Sequence, residues 1–183
     1  MSQNSRIAKN SLILYARLII TTVIELIALR IVINELGASD YGLYSVVGSV
    51  VGMMNFLNTV MVTTTYRYIA FEMGRDEGKY VNKIFNICLV IHVVLAFIVL
   101  ILAETAGMWY INNYLKVDTG KLADAIFVFR FSIFATIFSI ISIPHQGLIT
   151  AQEKFSARAS IEIVRTVLYL MLVILLTFDI GNK

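Results

Sequence analysis

The first hydrophobic run, Ser11–Asn34, constrains this chain most, because it is long enough to cross a membrane and yet carries three charges. A helix of about 20 apolar residues crosses a bilayer core of about 30 Å. Fourteen residues of the run are Leu, Ile or Val, each favouring insertion by roughly 0.3–0.6 kcal/mol. Arg17, Glu25 and Arg30 would each cost roughly 2.5–3.5 kcal/mol at mid-membrane. We therefore expect one side of this helix to face a watery or protein-lined interior.

The composition predicts an integral membrane protein. The chain is 58% hydrophobic and 15% charged, whereas soluble domains are near 45–50% apolar and 25% charged. The net charge of +3 does not require nucleic acid as a partner, because basic residues at the cytoplasmic ends of membrane helices produce the same excess. Cys88 is the single cysteine and cannot form an intrachain disulfide.

Five hydrophobic segments follow one another with short connections. A backbone in lipid must satisfy its own hydrogen bonds, and no alternating pattern predicts a barrel, so all five segments are predicted as α-helices. The predicted fold is an all-α polytopic membrane helix bundle, one domain over residues 1–183. Since five is an odd number of spans, we expect an N-terminal piece of a longer protein. The helices are expected at about 11–34, 41–71, 84–103, 122–149 and 160–178.

The distribution of lysine and arginine predicts the orientation. Seven basic residues fall on the side of the N-terminus and three on the other side. The N-terminus is therefore predicted to be cytoplasmic. The seven are Arg6, Lys9, Arg75, Lys79, Lys83, Lys154 and Arg158.

Polar residues recur at helical spacing within two of the segments. A stripe of this kind on a membrane helix is explained equally by hydrogen bonds between helices and by the lining of a water-filled cavity. Arg67 follows the first stripe and either lines the same cavity or extends to the lipid headgroups. The first stripe comprises Asn55, Asn58, Thr59, Val62 and Tyr66. The second comprises Ser132, Thr136 and Ser139, and Arg130 precedes it on the same segment.

Two further features complete the chain. Pro144 lies inside the fourth segment, where it predicts a kink or break over Ile140–Pro144 and a hinge. Glu162 and Arg165 begin the fifth segment and are interpreted as an i, i+3 pair.

No catalytic constellation or cofactor motif is present in the sequence, so the chain is not expected to be an enzyme. It has no HExxH, CxxC, GxGxxG or Gly-rich Lys-Ser/Thr loop. Cys88 and His92 lie four residues apart without further metal ligands of suitable spacing. We therefore interpret His92 as a packed neutral histidine, and predict no metal site.

Several passages resemble bacterial O-antigen and capsular polysaccharide flippases, members of the multidrug/oligosaccharidyl-lipid/polysaccharide exporter superfamily. Residues 36–44 (LGASDYGLY), preceded by Arg30 and followed by residues 46–48 (VVG), resemble that family's first hairpin. Residues 56–58 (FLN) and 67–69 (RYI) resemble its second helix. Pro144 with residues 148–154 resembles the exit from its fourth helix, although His145 stands where an aromatic residue is expected.

The resemblance implies a MATE-like N-terminal lobe within a protein of twelve or more helices around a central cavity. It implies transport of an undecaprenyl-pyrophosphate-linked oligosaccharide across the bacterial inner membrane for polysaccharide biosynthesis. The implied partners are this substrate, membrane lipids, a coupling ion (proton or sodium) and the polysaccharide polymerase machinery. Because a glycan linked through pyrophosphate is anionic and polar, arginines with hydroxyl and amide groups suit it. The substrate-path candidates are Arg17, Glu25, Arg30, Asn55, Asn58, Arg67 and Arg130.

Two other functions fit the same sequence. A cation-coupled multidrug exporter of this superfamily would favour acidic residues along its path, whereas the charges inside these segments are mainly arginines. A membrane subunit without transport activity would use its small-residue faces to bind partner helices.

Overall fold

A computed structural model of the chain describes residues 3–52, 55–75, 79–115 and 119–180. Within these residues the structure is helical and contains no strand, which confirms the predicted all-α fold. The α-helices are α1 (Gln3–Gly52), α2 (Asn55–Gly74), α3 (Val81–Leu102), α4 (Met108–Asn113), α5 (Leu122–Ala151) and α6 (Phe155–Ile180). A π-helical turn over Ala103–Gly107 joins α3 to α4, and a 3₁₀ turn over Thr119–Lys121 precedes α5.

Four apolar stretches of the described helices are long enough to span a membrane, so the chain is a multi-pass membrane protein. They are Ala8–Ser49, Val81–Asn113, Leu122–Ala151 and Phe155–Phe178. The predicted segment 41–71 instead divides between the end of α1 and α2, with residues 53–54 outside the described part. The segment expected at 122–149 begins at Leu122 as predicted and ends at Ala151, whereas the first helix begins at Gln3 and the last covers Phe155–Ile180. The third segment begins at Val81, and α3 and α4 extend this apolar stretch to Asn113.

Gly37 interrupts α1 at the place where the first connection was predicted. The apolar stretch Ala8–Ser49 has 42 residues, about 63 Å of helix at 1.5 Å per residue, which is twice the core of a bilayer. At Gly37 the backbone leaves the helical region, with φ 73° and ψ 169°. Only glycine adopts this region readily. The six-residue connection expected over residues 35–40 is therefore a break at a single residue.

The chain divides into two compact units, residues 1–41 with 153–183 and residues 42–152. In the first unit, the shielded side chains of α6 recur at alternating steps of three and four residues, as do those of α1, a spacing typical of paired helices. On α1 they include Arg17, Thr21, Ile24, Ala28 and Ile31, and on α6 Ala159, Ile163, Thr166, Leu170, Val173 and Thr177.

In the second unit, α5 packs against both α2 and α3. A buried apolar cluster surrounds Phe129 and includes Val47, Ile111, Ala125 and Ile133. Gly107 lets the ring of Phe129 approach the π-helical turn, since a Cβ atom at Gly107 would lie 2.5 Å from Phe129 Cζ. Gly147 similarly brings α5 close to α2, because its Cβ would lie 3.0 Å from Thr65 Cγ2 and 3.4 Å from the Tyr66 backbone nitrogen.

Pro144 does not interrupt α5. The helix runs from Leu122 to Ala151 with Pro144 buried inside it. Of the expected kink or break over Ile140–Pro144, the break is therefore absent, and a kink stays a prediction. Ile140, Ile143 and Gly147 on the same helix are buried as well. A hinge function for Pro144 stays a prediction.

Candidate functional site: polar and charged groups on apolar helices

Arg17 forms an ion pair between α1 and α6. Its Nη1 atom donates to Oε2 of Glu162, and the two side chains are 21% and 35% exposed. The sequence suggested Arg165 as the partner of Glu162, and Glu25 as a substrate-path candidate on the same helix as Arg17. In the described part of the chain, Glu162 is paired with Arg17 instead, and both Glu25 and Arg30 are exposed.

Two threonines accompany this pair, one on each helix. The Thr21 hydroxyl donates to the Arg17 carbonyl oxygen at 3.0 Å, and the Thr166 hydroxyl donates to the Glu162 carbonyl oxygen at 2.9 Å. Both hydroxyl protons are therefore used within their own helices. The carboxylate and the guanidinium are left to satisfy one another.

The two predicted polar stripes meet between α2 and α5. The Asn58 Nδ2 atom donates to Ser139 Oγ at 2.8 Å, and both side chains are partly buried. An amide and a hydroxyl that satisfy each other between membrane helices stabilise their association. Asn55 begins α2, but its side chain lies outside the described part.

The stripe on α5 extends beyond the residues that the sequence singled out. The Gln146 Nε2 atom donates to Ser142 Oγ at 2.9 Å, and the Ser142 hydroxyl donates to the Ser139 carbonyl oxygen at 2.7 Å. The Thr150 hydroxyl donates to the Gln146 carbonyl oxygen. The spacing of three and four residues that relates Ser132, Thr136 and Ser139 continues to these residues, so the sequence held the signal for them.

Arg67 lies in an open pocket on α2. The pocket has a volume of about 420 Å³ and is lined by Thr64, Arg67, Tyr68 and Phe71. Arg67 is exposed, and no carboxylate of the described residues forms an ion pair with it. The pocket therefore offers a guanidinium whose donors are open to a ligand, beside a phenol and an aromatic ring.

Arg130 is placed apart from the contact between Asn58 and Ser139. Its Nε atom lies 3.7 Å from Oε1 of Glu104 in the π-helical turn, and the two side chains are 60% and 41% exposed. Arg130 and Ser139 are nine positions apart along α5, about 14 Å at 1.5 Å per residue. The structure therefore does not bring all the candidate residues together.

His92 is buried between helices, as expected for a packed histidine. Its Nδ1 atom lies 2.6 Å from the Cys88 carbonyl oxygen, while Nε2 has no hydrogen-bond partner among the described residues. A neutral ring with its proton on Nδ1 fits this contact. No cluster of three or more potential metal ligands occurs in the described ranges.

Comparison with known proteins identifies no relative of this chain. No family model matches the chain, and no curated protein or solved structure matches it either.

Proposed function

We propose that this chain belongs to a membrane transporter that moves an anionic, lipid-linked oligosaccharide across the bacterial inner membrane. The observation that carries the proposal is the pocket around Arg67, where the guanidinium has no ion-pair partner among the described residues and lies on a helix between strongly apolar ones. Arginine binds phosphate oxygens through two parallel hydrogen bonds. A pyrophosphate-linked glycan supplies such oxygens.

The volume and lining of the pocket suit the head of such a lipid. Small-molecule sites are typically about 300–1,000 Å³, and the pocket of about 420 Å³ falls within this range. Tyr68 and Phe71 add apolar surface beside the cation, and Thr64 adds a hydroxyl. Under this proposal the N-terminus is cytoplasmic, and the substrate is carried on undecaprenyl pyrophosphate.

The polar contact between α2 and α5 supports the same function. Polar groups within membrane helices line substrate paths or join helices, and Asn58 and Ser139 are both partly buried and partly accessible. Gln146 and Thr150 continue this accessible stripe along α5. Amide and hydroxyl groups of this kind suit the hydroxyls of a sugar.

The test is to replace the chromosomal gene with one that encodes Arg67→Gln and to measure surface polysaccharide. We expect at least a tenfold loss of surface glycan with an unchanged amount of protein in the membrane. Arg165→Gln is the matched control, because it removes an equal charge from an exposed site on α6 and should leave export intact. Normal export by Arg67→Gln, or normal surface glycan after deletion of the gene, would refute the proposal.

A further inference from the structure

The pair of Arg17 and Glu162 leaves most of the guanidinium's capacity unused. An arginine side chain has five N–H donors, and among the described residues one contact to one carboxylate oxygen is made here. Both residues lie inside apolar stretches, Arg17 about 14 Å along α1 from Ala8 and Glu162 about 10 Å along α6 from Phe155, at 1.5 Å per residue. Unused donors are costly in such surroundings unless water or a ligand reaches them.

The pair is also open to a competing ligand. The side chains of Arg17 and Glu162 are 21% and 35% exposed, so an approaching molecule can contact both. The remaining N–H donors of Arg17 can therefore form charge-assisted hydrogen bonds to an anion.

We propose that Arg17 is an anion-binding residue that Glu162 occupies until a diphosphate group displaces it. The proposal rests on the proposed function for the source of the diphosphate, the head of a lipid-linked sugar. A diphosphate can accept two or more parallel hydrogen bonds from the guanidinium, whereas Glu162 accepts one. Glu162 thus lowers the affinity of the empty site and gives Arg17 a partner when no substrate is bound.

The test measures binding of inorganic pyrophosphate to the purified full-length protein by isothermal titration calorimetry. Glu162→Gln removes the competing carboxylate and should raise the affinity at least tenfold. Arg17→Gln should abolish this gain, alone and combined with Glu162→Gln. Glu35→Gln is the matched control, because it removes an equal charge from an exposed position about five turns further along α1, and should change the affinity less than twofold.

A second variant covers the case in which Glu162→Gln does not accumulate. Glu162→Asp keeps the charge but withdraws the carboxylate by one methylene, and should raise the affinity by a smaller factor. An unchanged affinity in whichever variant folds, or an equal gain in Glu35→Gln, would overturn the proposal. A competition experiment with short-chain phosphatidylglycerol distinguishes the two sources of the anion. If this lipid displaces pyrophosphate, the site binds lipid headgroups and the assignment to a substrate diphosphate is overturned.

These results are independent of the glycan export assay. If export depends on Arg67 but substitution of Glu162 leaves the pyrophosphate affinity unchanged, the proposed displacement of Glu162 from Arg17 is wrong and the proposed function stands. If deletion of the gene leaves surface glycan unchanged while Glu162→Gln gains affinity, the anion site stands and the transported substrate must be another phosphate-bearing molecule.

Discussion

Asn58 on α2 donates a hydrogen bond from its side-chain amide to the Ser139 hydroxyl on α5, with 2.8 Å between nitrogen and oxygen. The two residues are 81 positions apart in the chain. Their contact joins the polar stripe of α2 to that of α5. We therefore expect the two side chains to stabilise the packing of these helices together.

The bond between Asn58 and Ser139 should appear as a coupling energy. In a double-mutant cycle with Asn58→Ala and Ser139→Ala, we expect about 0.6 kcal/mol and at most about 1.7 kcal/mol, the range for hydrogen bonds between membrane helices. Unfolding in mixed detergent micelles measures it. Thr136→Ala is the control partner, because the Thr136 hydroxyl donates to the Ser132 carbonyl oxygen at 2.9 Å. Equal coupling in both cycles would show that Asn58 acts through general packing.

Gly37 should resist substitution because of its backbone conformation. Gly37→Ala places a side chain at φ 73° and ψ 169°, which costs about 1–3 kcal/mol. Gly42→Ala is the control, since Gly42 lies within helical residues and no described atom would be within 4 Å of its Cβ. That change should be neutral or stabilise the protein by up to about 1 kcal/mol. Thermal unfolding of both variants in detergent tests the difference, and equal melting temperatures would contradict it.

Gly107 should resist substitution because a side chain there would clash with Phe129, and not because of its backbone conformation. In Gly107→Ala the new Cβ would lie 2.5 Å from Cζ of the buried Phe129 ring, and overpacking of this kind costs about 1–3 kcal/mol. Phe129→Leu removes the end of the ring, so the double variant should be more stable than the sum of the two single changes implies. The free energy of unfolding checks this, and strictly additive effects would argue against the clash.

The two ion pairs should contribute unequally to stability. Arg130 and Glu104 are 60% and 41% exposed, so Arg130→Gln should cost less than about 1 kcal/mol. Arg17→Gln should cost more, because it leaves the less exposed Glu162 without its partner. Unfolding of both variants in the same detergent compares them. A larger loss of unfolding free energy for Arg130→Gln than for Arg17→Gln would mean that side-chain exposure does not predict which ion pair contributes more to stability.

The sequence by itself determined that the chain is helical and which polar and charged residues lie within its apolar segments. The length and hydropathy of the runs predicted an all-α membrane protein, and helical spacing predicted the polar stripes that contain Asn58 and Ser139. These are local properties, because the spacing of residues on a helix depends only on the turn of that helix. The first connection was predicted for the same reason, because the apolar run ends at Asn34 and a short stretch with Glu35 and Asp40 at its ends follows.

The tertiary structure alone decided which polar groups meet. Arg17 and Glu162 are separated by 145 positions, and no periodicity within either helix identifies that pairing. The sequence suggested Arg165, three residues away on the same helix, as the partner of Glu162. The uninterrupted course of α5 through Pro144, the π-helical turn beside Phe129 and the pocket at Arg67 likewise depend on how neighbouring helices pack. A side chain's local spacing fixes the face on which it lies, but only packing fixes what covers that face.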